Sequence, residues 1–74
     1  MAYKINILDF GENFNQSVDS LIDCLELNML ILRGEFNQDI NKLSSSTITI
    51  LYLSEMYNNV ITESINRIAF GIFV

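Results

Sequence analysis

The chain contains no histidine. This removes the commonest side chain for proton transfer near neutral pH and the commonest metal ligand. Its one cysteine, Cys24, cannot close an internal disulfide, and no CxxC or Cys/His cluster is present to hold a metal. Lacking a histidine partner, Cys24 is expected to be a buried or idle thiol rather than a nucleophile. Basic residues are also few. Lys4, Arg33, Lys42 and Arg67 are scattered and stand against nine acids, for a net charge of −5. Nucleic-acid binding needs clustered Lys and Arg, so it is excluded as an expectation. The acids are isolated rather than set in phosphate-like rows, which argues against a DNA mimic. Asp9, Asp19, Asp23 and Glu26 form no recognised catalytic pair. Gly11, Gly34 and Gly71 lie in no GxGxxG or P-loop pattern and read as turn or strand-end residues. No long hydrophobic run occurs: "IAFGIFV" is far shorter than the roughly 20 residues that span a bilayer. "MAYKINILDF" lacks the apolar core and cleavage site of a signal peptide. These absences point away from an enzyme, a cofactor, a metal and a membrane. They favour a cytoplasmic, reducing compartment.

Half of the residues are apolar and 18% are charged, a balance that suits a folded chain. With 74 residues it is a single domain of marginal stability, since a chain this short buries only about 60% of its unfolded surface. Within it a phrase recurs. "GENFNQSVDSL" begins at residue 11 and "GEFNQDINKL" at residue 34. Anchored on Phe14 and Phe36, a step of 22 also carries Ile5 to Leu27, Leu8 to Leu30, Phe10 to Leu32, Val18 to Ile40 and Leu21 to Leu43. A third copy follows with a step of 21, taking Leu27 to Ile48, Leu30 to Leu51, Leu32 to Leu53, Phe36 to Tyr57, Asn37 to Asn58 and Ile40 to Ile61. There Leu43 lands on Ser64, next to Ile65. A further step of 21 reaches Ala69, Ile72 and Val74, the opening of a fourth copy. The repeats are therefore placed at 4–25, 26–47 and 48–68, with a partial one at 69–74.

Each unit opens with apolar-x-x-apolar-x-apolar, as in "INILDF", "LNMLIL" and "ITILYL". Apolar residues two apart suit one face of a strand, and Ile, Leu, Phe and Tyr are strand formers. Strands about 22 residues apart are too distant for tight hairpins, so parallel stacking is expected, with each return path made of loop, 3₁₀ turn or short helix. The rings of Phe14, Phe36 and Tyr57 would then stack as a spine. Asn15, Asn37 and Asn58 beside them would form an internal ladder of hydrogen bonds to loop backbone. A competing pattern runs through "SVDSLIDCLELNMLILR". Val18, Leu21, Ile22, Leu25 and Met29 have helical spacing, and Ser17 could cap an amphipathic helix of about four turns. A compact helical or α/β regulator of a larger partner is the alternative function attached to that pattern.

The segments "ILDFGENFNQSVDSL" and "MLILRGEFNQDINKLSSS", and in weaker form "ILYLSEMYNNVITESI", resemble the FNIP repeats. Those are leucine-rich-repeat-like units of about 22 residues known from social amoebae and from giant viruses that infect amoebae. The resemblance spans nearly the whole chain. It implies a leucine-rich-repeat-like solenoid of short parallel β-strands and a protein-binding role. Three departures limit it. The chain has no proline, so Ile22 and Ser44 stand where the turn proline is usual. Its third copy reads Tyr-Asn-Asn. It also lacks the F-box that accompanies some members, so a ubiquitin-ligase role is not carried over.

In such a solenoid the residues between the core positions line the concave sheet face. These are Ile7 and Asp9, Met29 and Ile31, Ile50 and Tyr52, then Gly71 and Phe73. A mostly apolar face of this kind fits either a protein-binding site or strands that pack against another part of a longer array. Uncapped apolar ends at Ile5/Leu8/Phe10 and at Ala69/Ile72/Val74 imply homo-oligomerisation or a truncated member of a longer repeat family.

Overall fold

A computed structural model describes residues 6–73. Ile5 and Val74, expected at core positions, lie outside the described residues. Four strands, β1 (Ile7–Asp9), β2 (Met29–Leu32), β3 (Ile50–Ser54) and β4 (Ala69–Phe73), form one parallel sheet in chain order. Each of the first three is followed by a return segment with a 3₁₀ turn, at Asp19–Asp23, Asn41–Ser45 and Glu63–Ile65. Small polar side chains start two of these turns by capturing a nearby amide. The Asn41 N–H donates to Asp39 Oδ1 at 2.8 Å, and the Asp19 N–H donates to Ser17 Oγ at 3.3 Å. Among the described residues no helix is long and apolar enough to cross a membrane.

The long helix that Ser17 could have capped does not form. Only Asp19–Asp23 is helical, and Met29 is already in β2. Two causes act against it. Val18 and Leu27, at opposite ends of the segment, are both drawn into the core, whereas Leu25 on the supposed apolar stripe is exposed. Beyond Leu27, the N–H groups of Asn28 and Met29 both donate to the Asn6 carbonyl, at 2.8 and 3.0 Å, which pulls the chain into the sheet.

One face of the sheet and the inner side of the returns make the core. Leu30, Leu32, Leu51 and Leu53 alternate out of β2 and β3. They meet Val18, Leu27, Phe36, Ile40, Leu43, Ile48, Ile65 and Ile68 from the returns, all of them buried. Burial of side chains this size contributes about 1.5–3 kcal/mol each before chain entropy is counted, so the returns hold the sheet as much as the ladder does.

The register pairs Ile7 with Met29, Met29 with Ile50 and Ile50 with Ala69, steps of 22, 21 and 19 residues. The last step differs from the expected 21. Leu51 pairs with Phe70 and Leu53 with Ile72, so Ala69 lies on the face away from the core. The residues are lost between the 3₁₀ turn and the strand. Leu21, Leu43 and Ile65 hold equivalent places, their carbonyls accepting the N–H of Cys24, Ser46 and Ile68. Ile65, not Ser64, therefore matches Leu43, and it is fully buried. Ile61, set against the buried Ile40 in the sequence, is instead 47% exposed.

Arg67 occupies the shortened connection. Its guanidinium donates to the carbonyls of Ile48 (2.7 Å), Ser44 (3.1 Å) and Leu43 (3.3 Å), and also to that of Ser46. In the preceding unit a hydroxyl does related work: Thr47 Oγ1 donates to the Leu27 carbonyl at 2.6 Å. A four-way donor substitutes for backbone amides that a shorter return cannot supply.

Candidate protein-binding face and the ring column

Turned away from the core, the sheet presents three rows across the strands. The first is Ile7, Met29, Ile50 and Ala69, and the second is Asp9, Ile31, Tyr52 and Gly71. Arg33, Ser54 and Phe73 continue the alternation at the strands' C-terminal ends. The candidate residues Ile7, Asp9, Met29, Ile31, Ile50 and Tyr52 thus lie side by side, but the rows differ in chemistry.

The first row is apolar throughout and makes no polar contact. Ile7 is 59% exposed, while Met29 and Ile50 are partly covered by their neighbours. The second and third rows are engaged with one another. Asp9 accepts from Arg33 Nε at 3.2 Å and pairs with its Nη2 at 3.2 Å. It also accepts the Gly11 N–H at 2.9 Å. That backbone donor, followed by the Arg33 charge, holds the Asp9 carboxyl below its usual range. The Arg33 guanidinium in turn lies 5.5 Å from the Phe73 ring centroid, within cation–π reach. Phe73 meets Tyr52 edge-on at 5.9 Å. The Tyr52 ring rests on Gly71, where an added Cβ would come within 2.3 Å of it. A glycine there gives the ring its seat. Asp9 and Tyr52 therefore have partners within the chain, and the rest of the face is Ile31 with the Ile7/Met29/Ile50 row.

On the opposite side the repeated Phe-Asn builds a column. Phe14 and Phe36 stack with centroids 5.9 Å apart, and Phe36 and Tyr57 at 6.1 Å. Phe36, in the middle, is buried, and its two neighbours are half-buried. The Tyr57 hydroxyl donates to the Gln38 carbonyl at 2.8 Å. Burial first, and then the negative charge of Asp39, push the Tyr57 pKa up to about 12.

Beside the rings, Asn15 Oδ1 accepts the Asn37 N–H at 2.9 Å, and Asn37 Oδ1 accepts the Asn58 N–H at 2.8 Å. This row is not internal, because all three asparagines are exposed. The neighbouring Gln is also bonded: Gln38 Nε2 donates to Asn15 Oδ1 at 3.0 Å, and Asn59 Nδ2 to the Asn37 carbonyl at 3.0 Å. Asn15 and Asn37 need only to reach the backbone of the next unit, and they do so as well from the rim of the stack as from inside, while Asn58 ends the row as a donor of its N–H. Cys24, expected to be buried or idle, is exposed. Among the described residues no group of three His, Cys, Asp or Glu side chains comes together to hold a metal.

One residue with a clear structural role escapes a reading of the sequence, and a second, Gly34, is legible there only as a turn glycine. Arg67 gives no signal beyond being a base in the shortest return, four residues after Glu63. Gly34 has φ +69°, and a Cβ there would lie 2.1 Å from the Glu12 carbonyl oxygen. The preceding unit must come that close because Glu12 O accepts the Glu35 N–H at 3.0 Å. Its signal is the Gly-Glu shared by "GENF" and "GEF". Comparison with known proteins finds no matching family model, no matching curated protein and no matching solved structure.

Proposed function

We propose that the chain is a short leucine-rich-repeat-like solenoid of FNIP-like units, acting as a protein-interaction module without catalysis. One observation carries this reading. The exposed side of a parallel sheet presents an unbroken apolar row, Ile7–Met29–Ile50, beside a rigid cluster of Tyr52, Phe73 and Arg33. Apolar anchors next to aromatic and Arg side chains match the composition of interface centres. The unit spacing of the ring column and the Asn row supports the solenoid and the FNIP-like assignment. The partner is a protein offering a complementary apolar surface, with no nucleic acid, cofactor or membrane involved.

The test compares proteins retained on immobilised wild type with those retained on Met29→Glu and on Ser45→Glu, a control in the second 3₁₀ turn. Fold is checked by circular dichroism in each case. A partner held by wild type and by Ser45→Glu but lost from Met29→Glu supports the proposal. Equal retention on all three, or on none, overturns it.

A further inference from the structure

We infer that the free edge of β4 is a self-association site, at which a second copy of this chain adds its own β4 antiparallel across a two-fold axis. Among the described residues the edge has none of the features that normally block pairing. β4 runs Ala-Phe-Gly-Ile-Phe, with no charge, no proline and no bulge. Its hydrogen-bonding groups are set for a partner. Ala69 donates its N–H to Thr49 O at 2.9 Å, and the Phe73 carbonyl accepts the Glu55 N–H at 3.2 Å. In a parallel ladder alternate residues bond to the same neighbour, so Ala69, Gly71 and Phe73 face β3 and the N–H and C=O of Phe70 and Ile72 face outward. The side chains of those same two residues are 41% and 62% exposed, although the residues they pair with, Leu51 and Leu53, are buried.

The strand is complementary to itself. With the axis at Gly71, Phe70 of one copy lies opposite Ile72 of the other and exchanges both hydrogen bonds with it, four bonds in all. Gly71 then faces Gly71 in the close, non-bonded position, where the absence of a side chain helps. Phe70 and Ile72 from both copies meet as aromatic–β-branched pairs, and Ala69 lies opposite Phe73. Charge favours this pairing. The molecule carries −5, yet two β4 strands meet without like charges. Head-to-tail addition of β4 to β1 would set five residues against three and bring Phe73 towards the Asp9 end of β1. One strand edge with two apolar side chains per copy is smaller than the roughly 800 Å² per partner of a standard interface, so a dimer in about the micromolar range is expected.

Sedimentation of the full chain over a range of concentrations, with amide hydrogen exchange on the same samples, tests this. The expected result is a monomer–dimer equilibrium in which the Phe70 and Ile72 amides gain protection with concentration and the Ile7 amide, which faces outward from β1, does not. Ile72→Pro removes an outward N–H and an exposed side chain but no bond to β3, so it should keep the fold and raise the dissociation constant about tenfold or more. Ile72→Lys, which puts a charge on the edge, should do the same if the proline variant folds poorly. A monomer at all concentrations, open-ended polymers, or a dimer that protects the Ile7 amide or survives both substitutions would overturn the inference.

Discussion

The two ends of the stack are finished differently. At the β1 end, the Phe10 ring lies on Phe14 with centroids 4.0 Å apart and covers the end of the ring column. Leu8, Leu21 and Ile22 are half-buried against the core beside it. At the β4 end, among the described residues, no extra ring follows Tyr57. The last unit is shortened instead, Arg67 binds four carbonyls of the unit before, and Ile65 and Ile68 are tucked in while Phe70 and Ile72 stay exposed. A repeated unit leaves two unlike deficits at its ends, uncovered apolar surface at one and unmet backbone acceptors at the other. An aromatic side chain serves the first and a guanidinium the second. The strand edge at the β4 end carries no such finish among the described residues.

Ring substitutions give the largest expected contrast. Phe36→Ala empties the buried centre of the column and should cost about 3–5 kcal/mol, enough to unfold much of a domain this small. Phe10→Ala removes a half-buried ring at the margin and should cost about half as much in urea melts. Equal losses would mean that Phe10 is as central as Phe36 and that the β1 end is not a margin.

Arg67 is next. Arg67→Met keeps the stem and removes the donors, and should cost about 2 kcal/mol, in the range for hydrogen bonds from charged groups. Lys42→Met removes only an exposed pair with Asp19 at 3.5 Å and should cost no more than about 0.5 kcal/mol. A similar small loss for both would reduce Arg67 to a surface base.

The asparagines should follow the direction of the row. Asn15→Leu and Asn37→Leu each deprive the next unit of an acceptor and should cost about 1 kcal/mol. Asn58→Leu, at the last step, should cost clearly less. Gln38→Leu should resemble Asn15→Leu, because Gln38 bonds to Asn15 from a half-buried position.

The smallest effect is confined to alkaline pH. With the Tyr57 pKa raised from 10.0 to about 12, the folded state favours the neutral phenol. Its contribution is complete below pH 10 and is lost as pH rises towards 12, because the unfolded chain releases that proton first. Melting temperature in wild type should therefore fall more steeply over this window than in Tyr57→Phe.

Much of the arrangement is legible in the residues, and the gaps have physical causes. The first two steps could be read because an aromatic residue followed by Asn and an amide, Phe-Asn-Gln twice and then Tyr-Asn-Asn, pins the alignment to one residue. The third could not. "AFGIFV" is apolar at nearly every place, and a strand pattern of period two fits equally after a shift of two residues. Asn15, Asn37 and Asn58 were recognisable as bonding residues, but side-chain chemistry does not say whether the bond lies inside the stack or on its rim. The apolar face was legible as a set of residues. The pairing of Asp9 with Arg33 was not, since those two are brought together only by the register of β1 on β2.

Cross-strand proton contacts measured by NMR test the account most directly, because the whole arrangement rests on parallel strands at steps of 22, 21 and 19. Backbone contacts are predicted between the β1 and β2 strands around Leu8 and Leu30, between β2 and β3 around Leu30 and Leu51, and between β3 and β4 around Leu51 and Phe70. Antiparallel contacts between β1 and β2, β2 and β3 or β3 and β4, helical contacts from Ser17 to Met29, or pairing of Leu51 with Ile72 in place of Phe70 would contradict it.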